Sequence, residues 1–498
     1  MMRTKNLLLT GALALASLFT TTAQNSVPFK WEGGKIVTQV PERAPGQKHV
    51  LGLTVPKMKT VRVAFVGLGM RGPGAVERFT HIDGTHVVAL CDYEEARAKR
   101  CNSYLTKAGR PEAAIYSGEH GYKELVKRDD IDLVYIATDW AHHVPVAKAA
   151  MEAGKHVAIE VPSAMTLKDC WDLIDLAEQK RLHCFILENC VYDRFELNTL
   201  NMAQQGVFGE VIRGQGAYIH QLDKFWDSYW KNWRLLYNRD FRGDVYATHG
   251  LGPVALAMNI HRGDRFETLV AMDTKAFTGP ELIKRATGKE PENFRNGDHT
   301  TTLMRTVNGK VVEIQHNVMT PQPYNRLYQL TGTQGFANKY PIEGYTIGSK
   351  EMAKSAGLPQ ADNISGHGFL PAEAHKALEA KYEHPILKEI GKKAKEVGGH
   401  GGMDFIMDYR LVYCLQNGLP LDMDVYDLAE WCALAELGAL SMDNGCAPVV
   451  FPDFTRGHWQ DVKGFEFHYA KPMTEAEKVA EAKATAKATK KKTKKAKK

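Results

Sequence analysis

The chain has 498 residues, 44% of them hydrophobic and 24% charged, with 43 Gly and 21 Pro. That balance belongs to a globular protein of two or three domains and excludes a disordered chain, a collagen and a disulfide-dense mini-protein. The formal charge of +6 hides nine lysines and no acid in residues 483–498; removing them leaves −3, and removing Arg3 and Lys5 as well leaves a body of about −5 that asks for no nucleic-acid partner.

Residues 1–23 read as a secretory signal. Arg3 and Lys5 form its positive start, Leu7–Phe19 its apolar stretch, and Thr21-Thr22-Ala23 the small residues before a cut. A periplasmic or secreted protein is expected. No later apolar run reaches the ~20 residues that a membrane span needs. At the other end, residues 482–498 are Ala/Lys/Thr-rich and read as a basic solvated tail.

The strongest local pattern begins at residue 60. Val61–Val66 is a β-branched strand running into Gly67-Leu68-Gly69-Met70-Arg71-Gly72, with a helical pattern after it (Ala75, Val76, Phe79). A second strand, His86–Leu90, leads to Asp92, 20 residues beyond Gly72. This is the context in which a G-x-G-x-x-G turn cradles a pyrophosphate on a helix N-terminus. Gly67 permits the tight turn, Gly69 the approach of the pyrophosphate, and Gly72 close helix–strand packing. A carboxylate at Asp92 accepts from ribose hydroxyls and repels a 2′-phosphate, so NAD is predicted over NADP.

The alternation continues through 190. Strands are predicted at Asp132–Thr138, His156–Glu160 and Leu182–Leu187, with helices at Val144–Glu152 and from the Thr166/Asp169 capping box to Glu178. Ligand contacts sit at the carboxyl ends of such strands. That rule places Thr138, Trp140, His143, Glu160, Val161 and Asn189, with Met70 and Arg71 of the turn, around the cofactor. Residues 60–190 are therefore a doubly wound Rossmann domain. A mixed α/β domain follows at 191–345 and a helical extension packing on both at 346–460.

The segment 131–162, IDLVYIATDWAHHVPVAKAAMEAGKHVAIEVP, resembles the Gfo/Idh/MocA oxidoreductases, whose second domain is an open-faced mixed sheet. Where those dehydrogenases carry Glu-Lys-Pro, with an acid/base lysine, this chain has Glu160-Val161-Pro162. The runs GDVYATHGLGPVALAMNI (243–260), ILENCVYDR (186–194) and GGHGGMDFIMDYRLV (398–412), with the Gly-Met-Arg-Gly turn, narrow the resemblance to glycoside hydrolase family 109 over about residues 40–460. That resemblance implies an NAD-dependent α-N-acetylgalactosaminidase. The sugar is oxidised at C3, loses its C2 proton, eliminates the C1 substituent, gains water and is reduced again; no carboxylate pair is required. It also implies Tyr192 as the C2 base and His249 as the group handling the C3 hydroxyl proton. The alternative is a sugar dehydrogenase or sugar oxidoreductase using NAD.

Tyr218, Arg234, Tyr246 and Tyr328 are the expected substrate contacts. Phe225, Trp226, Tyr229, Trp230, Trp233 and Tyr237 form an aromatic segment whose tryptophans read first as helix packing. His142, His143 and His400 lack the spacing of a metal site, so none is predicted; His400 and Asp404 are expected to support the site from behind. The eight cysteines show no C-x-x-C and read mostly as buried apolar residues, with a disulfide left open. A glycan substrate and self-association complete the expectations.

Overall fold

The computed structural model describes residues 27–226 and 233–471. The predicted signal, the basic tail, and Tyr229 and Trp230 lie outside the described residues. The Rossmann sheet is built from β1 (Val61–Val66), β2 (Thr85–Asp92), β3 (Ala114–Ser117), β4 (Leu133–Ile136), β5 (His156–Ile159) and β6 (Cys184–Ile186). All pairings are parallel, in the order β3-β2-β1-β4-β5-β6. The strands read as near-continuous apolar runs because helices cover both faces. The order reverses between β1 and β4, and a ligand crevice opens at such a switch point.

Helix α1 (Gly72–Phe79) follows the glycine turn, and α2 (Trp140–Glu152) follows β4. α2 starts four residues before its apolar periodicity does, because the Asp139 side chain accepts from the His142 N–H and caps it. α3 (Leu167–Lys180) is capped as predicted, with Thr166 Oγ1 accepting from the Asp169 N–H.

The second sheet is mixed. It runs through Phe29–Glu32, Lys35–Thr38, Val449–Val450, Phe266–Asp273, Thr300–Thr306, Val311–Asn317, β7 (Val211–Ile219), β8 (Tyr328–Gly332), Gly335–Asn338 and Gly344–Ile347. The hairpin before the Rossmann domain and the short strand near residue 450 both join it. Helix α4 (Thr248–Ala257) lies against β7, and a Cβ on Gly216 would fall 2.1 Å from the Gly250 carbonyl oxygen. Helix α5 (Met403–Asn417) packs back onto α1 and onto the turn after β6, so the late helical region closes one side of the crevice. Among the described residues no helix is long and apolar enough to cross a membrane. The eight cysteines are unbridged, seven of them buried.

Candidate active site

A single cleft of about 1100 Å³ runs from the carboxyl end of β2 across the glycine turn to the face of the second sheet. That is just above the ~300–1,000 Å³ usual for one small ligand, and leaves room for a dinucleotide with a sugar beyond it. Gly67, Gly69, Met70, Arg71, Asp92, Thr138, Trp140, His143, Glu160, Val161 and Asn189 all line it. Gly72 does not; it opens α1 against the Gly67 carbonyl, where a Cβ would lie 2.0 Å from the oxygen. Gly67 itself has φ +92°, and a Cβ there would sit 2.4 Å from the Thr138 nitrogen.

The donor set fits NAD. No side chain caps α1, and with Pro73 lacking an N–H and that of Ala75 donating to the Arg71 carbonyl, the N–H groups of Gly72 and Gly74 are those left for an anion. Asp92 faces the cleft but also holds the turn in shape, accepting from the N–H groups of Leu68 at 2.6 Å and Glu94 at 2.9 Å. Arg97 Nη1 stands 3.2 Å from the same carboxylate.

At this end an ionic cluster gathers around the buried Asp404. Arg71 donates to Glu160 at 3.2 Å and lies 3.3 Å from Asp404. His400 Nδ1 is 2.9 Å from Asp404, and Asn189 Nδ2 donates to it at 2.6 Å. Burial alone would raise the Asp404 pKa, but His400, Arg71 and Arg78 overcome it and hold the carboxyl well below the usual range. His400 itself lines the cleft, so α5 contributes to the site as well as backing it. His143 lines it too, yet its Nδ1 is 2.8 Å from the Pro162 carbonyl and its Nε2 3.1 Å from that of Thr138. It shapes two loops more than it offers a donor, and burial pushes its pKa down.

At the other end Tyr218, Arg234, Tyr246 and His249 line the cleft. Arg234 sits 4.9 Å over the Trp140 ring and 5.2 Å from that of Tyr246. Trp226 and Trp233 line it as well, with Trp233 edge-on to Trp140 at 5.2 Å, so both packing and cleft contact fall to these tryptophans. Two hydrogen-bonded pairs face each other here. His249 Nδ1 is 2.6 Å from Glu188 Oε1, and the Tyr218 hydroxyl is 3.1 Å from His220 Nδ1. The Tyr218 and His249 rings are 5.3 Å apart.

Two expected residues are not in the cleft. Tyr192 is fully buried, and its hydroxyl donates to Asp422 at 3.0 Å, itself paired with Arg410. Burial and the neighbouring Asp422 carboxylate push its pKa up from the ordinary tyrosine value, and its side chain lines no part of the cleft. Tyr328 is 2% exposed and packs edge-on against Phe195. It pairs with Gly216, over which the Gly250 backbone of α4 closes, and it is not among the residues lining the cleft.

Sequence reasoning missed Glu188, His220, Tyr324 and Arg326. Glu188 follows β6 by the strand-end rule that found Asn189, and His220 lies two residues from Tyr218, immediately after β7 ends. None of the described lining residues is a lysine. Glu188, Cys190 and His249 lie close enough to share a cation. Arg326 Nη1, however, is 2.6 Å from Cys190 Sγ, and a guanidinium there opposes one. His142 is tied to its helix cap Asp139 at 2.9 Å.

Comparison with known proteins agrees with this geometry. Residues 192–461 match the family described as the C-terminal domain of glycosyl hydrolase 109. Residues 61–187 match the oxidoreductase family with an NAD-binding Rossmann fold. "Glycosyl hydrolase family 109 protein 5" of Phocaeicola vulgatus is 68% identical over 473 residues, covering 93% of this chain and 91% of that one. "Glycosyl hydrolase family 109 protein 1" of Bacteroides fragilis is 62% identical over 437 residues, covering 88% and 94%. Among solved structures, a levoglucosan dehydrogenase in complex with NADH superposes with TM-score 0.59 at 18% identity, over 79% of this chain and all of that one. The myo-inositol dehydrogenase of Lactobacillus casei gives TM-score 0.51 at 14% identity, over 80% and 99%. These two share the fold.

Proposed function

The chain belongs to glycosyl hydrolase family 109, and from that premise we propose that it removes terminal α-linked N-acetylgalactosamine from glycans, with retention, by a redox-neutral cycle of oxidation, elimination, hydration and reduction. The observation that carries this reading is the adjacency of the pairs Glu188–His249 and Tyr218–His220 at the second-sheet end of the cleft. The cycle moves two protons, one from the C3 hydroxyl and one from the neighbouring C2, and two bases side by side match that need. Bound NAD⁺ supplies the hydride acceptor at the start of a turnover and its reduced form the donor at the end.

The chain's own groups do the rest. His249 Nε2, the ring nitrogen not held by Glu188, takes the C3 hydroxyl proton as the ketone forms. The ketone acidifies C2–H, and Tyr218, backed by His220, takes that proton. The C1–oxygen bond then breaks and the aglycone leaves as its oxyanion, which takes a proton from solvent that the water adding at C1 later gives back. Water adds at C1, C2 regains a proton from Tyr218, and the C3 oxygen regains its own from His249. Arg234 and the Trp140/Tyr246 wall orient the ring. Val161, in place of the dehydrogenases' lysine, favours this cycle over net dehydrogenation. The signal-like residues 1–23 support export, where a tightly held cofactor that is regenerated in place suits a compartment without a dinucleotide supply.

The test is hydrolysis of an aryl α-N-acetylgalactosaminide by protein retaining its NAD. Many turnovers without net NADH are expected, with activity lost on stripping NAD and restored on adding it. NADH that rises in step with sugar consumed, without aglycone release, would instead establish a dehydrogenase.

A further inference from the structure

Glu188 makes a buried bond that neither the cofactor nor the sugar requires. Its side chain is 0% exposed, and Oε1 lies 2.6 Å from His249 Nδ1 and 3.0 Å from the Cys190 N–H, which donates to it. It stands where β6 ends and the tight turn Asn189–Tyr192 begins, while His249 comes from α4 in the other domain. Helix α4 makes room for it: a Cβ on Gly252 would fall 3.1 Å from Glu188 Cγ and 3.0 Å from Trp431. We propose that Glu188 is the positioning residue of the reaction, holding the His249 imidazole with its proton on Nδ1 and its bare Nε2 turned to the C3 hydroxyl.

An ionised carboxylate only accepts hydrogen bonds, so the nitrogen facing it must carry a proton. Burial opposes ionisation of Glu188, yet His249 and the Cys190 N–H more than offset it, and its pKa is lowered. A neutral ring protonated on Nδ1 is unprotonated on Nε2. When Nε2 takes the hydroxyl proton, the carboxylate stabilises the imidazolium; when the C3 oxygen takes it back, the ring returns to the same tautomer. The Ser–His–Asp triad uses a buried acid in the same way.

This rests on the glycosidase reading for the identity of the hydroxyl, and the tautomer itself can be tested without it. Histidine-selective nitrogen NMR of the NAD-loaded wild type should report His249 protonated on Nδ1 and bare on Nε2. Glu188→Gln keeps the volume and removes the charge. It should lower kcat about 10²-fold with KM changed less than about threefold, and move the acidic limb of the kcat/KM profile to lower pH by about one unit. Glu188→Asp, which keeps the charge, should restore the limb and part of the rate. Wild-type rate and limb in a folded Glu188→Gln protein would overturn the proposal, as would an unprotonated Nδ1 in the wild type. An inactive wild type with the expected tautomer would overturn the glycosidase reading alone.

Discussion

Replacing His249 with alanine is expected to lower kcat about 10⁴-fold, some 5 kcal/mol of barrier, with affinity for free N-acetylgalactosamine changed less than about threefold. The size follows from the place of the proton transfer. Without an acceptor at the C3 hydroxyl the ketone does not form, and every later step needs that ketone to acidify C2. The substitution also takes one of its hydrogen bonds from the buried Glu188 carboxylate, and leaving a buried polar group short of a partner costs about 1–3 kcal/mol of stability. A fall in Tm is therefore expected alongside the fall in rate. His249→Gln separates the two effects: its amide still donates to Glu188 but takes no proton, so it should melt close to wild type and be as inactive as the alanine variant. Either variant keeping a tenth of wild-type activity would remove His249 from the chemistry.

Tyr218→Phe is expected to cost about 10³-fold in hydrolysis while leaving the fold intact. The lost oxygen lies 3.1 Å from His220 Nδ1, while the ring keeps its contacts with Tyr246 at 4.8 Å and His249 at 5.3 Å. A free phenol has a pKa of about 10, so it acts as a base near neutral pH only with a neighbour able to draw its proton, the role of His220 Nδ1. The two lesions differ in kind. Tyr218→Phe should still oxidise the sugar at C3 and accumulate the 3-keto glycoside, whereas His249→Ala should form none. Mass analysis of quenched reactions reads this directly. Equal ketone in both variants would contradict the division of labour between them.

The Rossmann half was legible in the sequence because its determinants are local. The glycine spacing, the apolar strands and the Asp92 offset all lie within about thirty residues of one another, and the structure assembles them at the switch point between β1 and β4. The boundaries moved where a side chain decided them, as at the Asp139 cap of α2. The sugar end was read less well. Strand-end position identifies the segment 188–192, yet it does not say how the tight turn points successive side chains. Asn189 and Cys190 face the cleft, while Tyr192 turns to Asp422, 230 residues further on. Tyr328 failed for a related reason: alternation finds its strand face, but only the path of α4 across Gly216 shows that the face is covered. Glu188 and His220 lay beside residues that were identified, and their meaning came from partners that folding brings to them. The joining of Phe29–Thr38 and Val449–Val450 to the second sheet is likewise a long-range pairing that periodicity does not encode.

The central claim, that the glycosidic bond breaks by elimination from a 3-keto sugar, is tested most directly in D₂O. An aryl α-N-acetylgalactosaminide is hydrolysed by the NAD-loaded protein, and the released sugar is analysed for deuterium position by position. The predicted result is deuterium at C2 with hydrogen retained at C3, since the C3 hydride is removed and returned within one turnover and the C2 proton passes through a base. Release of sugar with its C2 hydrogen wholly retained, and with no isotope effect from a C2-deuterated substrate, would contradict the account.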